Sequence, residues 1–313
     1  MTPRPIRAPG HHGGDAAAIA QALGIERHEL VDLSMSMNPF APDVEAVLST
    51  RLGSISDYPD PSGATACLAH SIGVDVSRIV LTNGGAEAIA LVAGLQPVGS
   101  LREPEFSLYR RHLGEVDVAA PRWRSNPSNP LGQLRTPDAV QPGEVWDEAF
   151  YPLATGDWTD RRLDDHEVWR LGSLTKLWSC PGLRIGYVIA PDDQAAASVR
   201  QRQPRWSVNA LALSALPALL DATDLGVWSA ALASSRGDFT RSLRSLGFSV
   251  NETEANWVLV DDRATLRTEL ARHHVVVRDC TSFGLDSVFR VAIPRDSELD
   301  QVVGAFESVA EAR

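Results

Sequence analysis

From Arg78 to Leu220 short apolar runs alternate with longer stretches patterned for helices, and this alternation constrains the fold more than any other feature. RIVLT (78–82) reads as a compact buried strand that meets Asn83-Gly84-Gly85 and then a helix from Ala86 to about Leu95. Gly143–Asp147, Val168–Leu171 and Leu183–Ala190 read as further strands, the last as the central one. Strands separated by helices pair side by side under helical layers, the α/β arrangement. Helices are expected at Ala16–Leu23, capped by Asp15 and closed by Gly24, and at Ser62–Ile72. The stretch 121–143, rich in Pro, Asn, Ser and Gly, reads as loop. After a long helix at Val227–Leu246 the texture changes, with four strand-like runs and helices at Arg263–His273 and Ser297–Ala310. Three regions follow: an N-terminal segment, 1–36, packing on the small domain; a large α/β domain, 37–221; and a small α+β domain, 222–313.

Composition removes several function classes. The 313 residues carry a net charge of −11, which opposes general binding to nucleic acid or to an anionic membrane. No apolar run reaches the ~18–20 residues of a membrane span, and the opening MTPRPIRAPGHHGGD lacks the apolar core of a secretory leader. Three dispersed cysteines without a CxxC oppose a disulfide framework and a structural zinc site. His11-His12 and His273-His274 are adjacent pairs whose side chains diverge, so no metal is expected. A reduced, cytoplasmic protein is the expectation.

The 29 basic residues comprise 28 arginines and one lysine, Lys176. Arginine replaces lysine on most solvated surfaces. It cannot replace an amine that must lose its proton and attack a carbonyl. Ser173 and Thr175 precede Lys176, and Arg184 follows, flanked by Gly182 and Gly186. NPSNPLG (126–132) holds asparagine amides on rigid backbone. EVWDEAF (144–150) ends a strand in carboxylates, where α/β enzymes place their ligands. The NGGAE turn offers helix N-terminal N–H groups near Gly85, Ala86 and Glu87 to a phosphate. It lacks GxGxxG spacing, so a dinucleotide-binding fold is the weaker reading.

Together SLTK…GLRIG, NPSNPLG and VWDEAF resemble, in order, the motifs of the pyridoxal-phosphate (PLP) enzymes of fold type I, the class I/II aminotransferases. The resemblance implies an aspartate-aminotransferase-like fold: a large mixed-sheet α/β domain, here trimmed, and a small α+β domain. It implies that Lys176 forms the Schiff base with pyridoxal 5′-phosphate and that Asp147 pairs with the ring nitrogen. Asn129 would donate to the ring's phenolic oxygen and Phe106 stack on the ring. Gly85, Ala86, Ser173 and Arg184 would hold the cofactor phosphate, joined by Tyr58 of a neighbouring subunit in a homodimer. Arg290 would bind the substrate α-carboxylate.

Within the family, HHGGD, LSMSMNPF and VVVRDCTSFGL are similar to segments of the threonine-phosphate decarboxylases of cobalamin biosynthesis. The histidinol-phosphate aminotransferases are their relatives. Arg278, His12 and Asn38 become candidates for contact with a phosphorylated amino-acid substrate. Decarboxylation is the first expectation and transamination the alternative, with a catalytically weak PLP-binding protein as the second alternative. Two departures stand out. Asn129 follows Phe106 by only 23 positions, too few for the expected strand–helix units. Phe150 stands where the family usually has a tyrosine, leaving Asn129 alone or Tyr151 as a substitute.

Overall fold

The computed structural model describes Ile6, Ala8, Gly10 and residues 13–313. The chain divides into two compact units. One comprises 40–129 and 133–230; the other gathers 1–39, 130–132 and 231–313. The division falls inside the helix Leu225–Ser245, so its first turns belong to one unit and the remainder to the other.

The larger unit is built on a five-stranded mixed sheet: β1 (Ile79–Thr82), β2 (Trp123–Ser125), β3 (Val145–Asp147), β4 (Trp169–Ser173) and β5 (Gly186–Ile189), in the order β1-β5-β4-β3-β2. β2, β3 and β4 are parallel, and β5 runs antiparallel to both of its neighbours. β1 and β5 are nearly continuous apolar runs because helices cover the sheet. Val80, Trp123, Val145, Leu171 and Val188 pack against Ile89 and Val92 of the helix Gly85–Leu95 and Val199 of the helix Asp193–Arg202. Trp146 points to the opposite face, onto Leu163 and Val168. On the outer edge of β1, Arg200 donates to the carbonyls of Ser77 (2.7 Å) and Ile79 (2.8 Å), and Gln203 to that of Leu81 (2.8 Å). Side chains thus occupy acceptors that an edge strand would offer to another chain.

The stretch read as loop holds β2. Its central Arg124 is buried, paired with Glu144 at 2.9 Å and stacked on Trp146 at 4.4 Å, which hides a charged residue inside a strand. The short stretch after Gly85 has shrunk its elements rather than lost all of them. Val98–Gly99 and Glu115–Val116 pair in parallel, the helix Ser107–His112 lies between them, and a Ser100–Arg122 bridge adjoins β2.

In the smaller unit four antiparallel strands, Arg278–Asp279, Val288–Ala292, Trp257–Asp261 and Ser249–Asn251, lie side by side in that order. The N-terminal helix Ala16–Leu23 ends at Gly24, whose φ of 74° completes a left-handed cap. Val31–Asp32 then pairs in parallel with Val275–Val276. Asp15 does not cap that helix with its side chain; its carboxylate is held by Arg267. A buried guanidinium is the stronger partner for a carboxylate.

Candidate active site

Register brings the chemistry-bearing residues to one end of the larger unit's sheet. Thr82 and Ser173 both pair with Gly186, and Asp147 pairs with Leu171 and Ser125. β1 to β4 therefore end, and β5 begins, at the same edge. Open α/β sheets bind ligands outside the carboxyl ends of their strands.

The turn after β1 places Gly84 at φ 78°, a conformation that costs any side-chain-bearing residue. A Cβ there would also lie 2.3 Å from Nη2 of Arg184. The N–H groups of Glu87 and Ala88 bond back to the Gly84 carbonyl at 3.2 and 3.4 Å, so Gly85 and Ala86 carry the open donors of the first helical turn. The Glu87 side chain closes the turn by accepting the Asn83 N–H at 2.7 Å. β5 passes beneath: a Cβ on Gly186 would stand 2.8 Å from the Gly85 nitrogen, so only glycine fits. Ser173 bonds Thr175 at 2.9 Å, and its Cβ lies 3.5 Å from where a Gly85 Cβ would stand. Arg184, left-handed at φ 58°, donates to the carbonyls of Pro181 (3.0 Å) and Asn83 (3.4 Å). Two backbone donors, a hydroxyl and a guanidinium beside a helix N-terminus form an anion-binding cradle. A phosphate fits this set of donors.

Lys176 follows directly, in the one-turn helix Leu174–Leu177, with Nζ 5.9 Å from the centre of the Phe150 ring. Phe150 therefore faces the lysine without a hydroxyl. Tyr151, the next residue, is buried; burial and the nearby charge of Asp160 push its phenol up to about 12. Asp147 ends β3. Its Oδ1 accepts the Ala149 N–H at 3.0 Å and its Oδ2 the hydroxyl of Tyr109 at 2.8 Å. Burial raises the Asp147 carboxyl above the usual range, and these two donors oppose the rise. Tyr109 is fully buried; burial and the charge of Asp147 hold its phenol far above its ordinary range, so it stays a donor. Tyr109 carries one signal in the sequence, a position three residues after Phe106, whose ring it meets edge-on at 5.8 Å. Asn129 is buried in the loop after β2, its N–H bonded to Ser125 Oγ at 2.8 Å.

The smaller unit carries the remaining candidates. Arg290 is buried, donates to the Ser34 carbonyl at 3.1 Å and stacks on Trp257 at 5.1 Å. Burial lowers its pKa to about 10, with Arg278 acting in the same direction, so an incoming anion would be favoured. Arg278 is buried as well, donating to the Gly10 carbonyl (2.8 Å) and Ser282 Oγ (2.7 Å) against Phe283. Asn38 is fully buried. His12 lies outside the described residues. In the larger unit Tyr58 is 79% exposed, its ring 4.7 Å from that of the exposed Trp206.

Comparison with known proteins agrees with this chemistry. The sequence profile of the class I and II aminotransferases matches residues 124–306. The chain is 30% identical to a threonine-phosphate decarboxylase from Salmonella typhimurium over 354 positions, covering 95% of this chain and 96% of that protein. It is 28% identical to histidinol-phosphate aminotransferase 2 of Pseudomonas aeruginosa, covering 93% and 92%. The structure of a histidinol-phosphate aminotransferase from Sinorhizobium meliloti, in complex with pyridoxal-5′-phosphate, superposes with a TM-score of 0.80 at 18% identity, covering 95% of both chains. The alignment spans 354 positions, more than the 313 residues of this chain, so part of the relative has no counterpart here. The chain belongs to the class I and II aminotransferase family, enzymes of fold type I that depend on pyridoxal 5′-phosphate.

Proposed function

We propose that this protein is a carboxy-lyase acting on a phosphorylated amino acid of the threonine-phosphate type, as a cytoplasmic homodimer. The observation that carries the reading is the convergence of Gly85, Ala86, Ser173 and Arg184 with Lys176 and Asp147 at one end of the sheet. The 30% identity over nearly the whole of the Salmonella decarboxylase supports the choice of reaction. In this reading the cradle holds the cofactor phosphate, Phe106 covers the ring, and Asn129 donates to its phenolic oxygen. Tyr58 of the neighbouring subunit adds a donor to the phosphate. The bound cofactor supplies an electron sink for the pair released when a bond at the substrate Cα breaks. Asp147 keeps a proton on the ring nitrogen. Arg290 takes the α-carboxylate, and Arg278, with Asn38 and His12, the substrate's phosphate side. When carbon dioxide leaves Cα a proton must take its place, and Lys176 Nζ would supply it.

The similarity to the Pseudomonas enzyme supports transamination as the second reading. One experiment separates them. Protein loaded with pyridoxal phosphate is given threonine phosphate, and carbon dioxide is measured beside amine transfer to a 2-oxo acid. Carbon dioxide without amine transfer supports the lyase; amine transfer alone refutes it. Lys176→Arg should abolish the visible absorbance of the holoenzyme and its fixation by borohydride. Retained absorbance and turnover would remove Lys176 from the chemistry.

A further inference from the structure

Glu105 precedes Phe106 and is 3% exposed. Its Oε2 accepts the Ser125 hydroxyl at 2.6 Å and the Ser125 N–H at 3.2 Å, while Oε1 accepts Arg135 Nη2 at 3.1 Å. Ser125 ends β2, and because its hydroxyl proton is given to Glu105, its oxygen is open to the Asn129 N–H, which it accepts at 2.8 Å. Arg135 in turn donates through Nε to the Ser125 carbonyl at 3.2 Å and through its N–H to Asn126 Oδ1 at 2.9 Å. One buried carboxylate thus ties both flanks of the Asn-Pro loop to the segment that carries Phe106.

A carboxylate is costly to bury, and this one is held by three donors. Its place in the chain explains why it is there. Between Phe106 and Asn129 the regular elements have shrunk to a six-residue helix, a two-residue strand and the three-residue β2. Such short elements bring few ladder bonds to hold neighbouring loops in register. Charge-assisted bonds from one side chain supply the missing constraint.

We propose that Glu105 is a positioning residue for the cofactor ring: through Ser125 it fixes Asn129 relative to Phe106, so that the ring's stacking face and its oxygen donor are set by one carboxylate. The proposal rests on the reading above that Phe106 and Asn129 face the ring. Placement errors near 1 Å cost on the order of 10²-fold in turnover, so the effect should appear in kcat more than in KM. Glu105→Gln loses the ion pair with Arg135. Ser125→Ala breaks the relay and leaves that pair intact.

The test is the pH midpoint of the visible absorbance of the holoenzyme, with far-ultraviolet circular dichroism confirming the fold. Asn129→Ala should shift the midpoint, as loss of a donor to the ring oxygen requires. Glu105→Gln and Ser125→Ala should shift it in the same direction, and adding either to Asn129→Ala should shift it no further. Phe106→Ala alone should not reproduce this pattern. If Asn129→Ala moves the midpoint and folded Glu105→Gln and Ser125→Ala do not, Glu105 is an ion-pair residue without a role at the ring. If Asn129→Ala itself leaves the midpoint in place, the assignment of Asn129 fails and the positioning role falls with it. Should Glu105→Gln fail to fold, Ser125→Ala decides alone.

Discussion

Tyr109→Phe is the sharpest perturbation of Asp147, the proposed partner of the ring nitrogen, because it deletes one oxygen and keeps the ring. Tyr109 is fully buried, and its hydroxyl donates to Asp147 Oδ2 at 2.8 Å. A hydrogen bond to a charged acceptor contributes about 1.5–3 kcal/mol, so losing this one should raise the Asp147 carboxyl further. The sign follows from its environment: burial already pushes Asp147 up, and Tyr109 and the Ala149 N–H are what oppose it. The ionised form is the one that stabilises a protonated ring nitrogen, so the acidic limb of the kcat profile should move to higher pH. At a pH below that limb turnover should fall about tenfold or more, the factor equivalent to the lost bond. Steady-state turnover of both proteins between pH 5 and 9, with the cofactor saturating, reads this directly. In an Asp147→Asn background Tyr109→Phe should add almost nothing, since the two act through one bond. An unmoved acidic limb, or full additivity in the double variant, would refute the coupling and leave Tyr109 as a packing residue.

The other expectations concern assembly, substrate and stability. Tyr58, Leu52, Ile55 and Trp206 are exposed aromatic and aliphatic side chains of one unit, and sedimentation should give twice 33.8 kDa. Tyr58→Phe should weaken cofactor retention by roughly ten- to a hundredfold, the equivalent of one lost bond to an anion; unchanged retention would remove Tyr58 from the phosphate. Arg278→Ala should raise KM for phosphorylated amino acids far more than for their unphosphorylated analogues, because only the former bring a second anion; equal losses would make its bonds to Gly10 and Ser282 purely structural. Burial raises Glu105 and Glu148 from 4.5 to about 7. The native state then binds more protons than the unfolded chain between those values, so stability should fall as pH rises from 4.5 to 7, by roughly 3 kcal/mol for each group. Urea melts at intervals across that window should show the decline, and Glu105→Gln should remove about half of it, leaving the part due to Glu148; a flat wild-type profile would contradict the raised carboxyls.

What could be read from the sequence, and what could not, divides by the kind of constraint. RIVLTNGGAEAIALV announces its strand, turn and helix because each is a local matter: an apolar run, a residue needing φ 78°, and helix-forming residues after it. Lys176 stands out by chemistry alone, since no arginine can do what its amine does. β2 was hidden because three residues among prolines and asparagines carry no periodicity, and because its central arginine finds Glu144 only once the sheet is formed. Glu105, Ser125, Tyr109 and Asp147 are spread over more than forty residues and become a group only because parallel pairing sets Ser125 opposite Asp147. Residues that touch the cofactor in this reading belong to local motifs that turn or cap. Those that hold such residues in place are chosen by register and by burial, and a single sequence does not display either one.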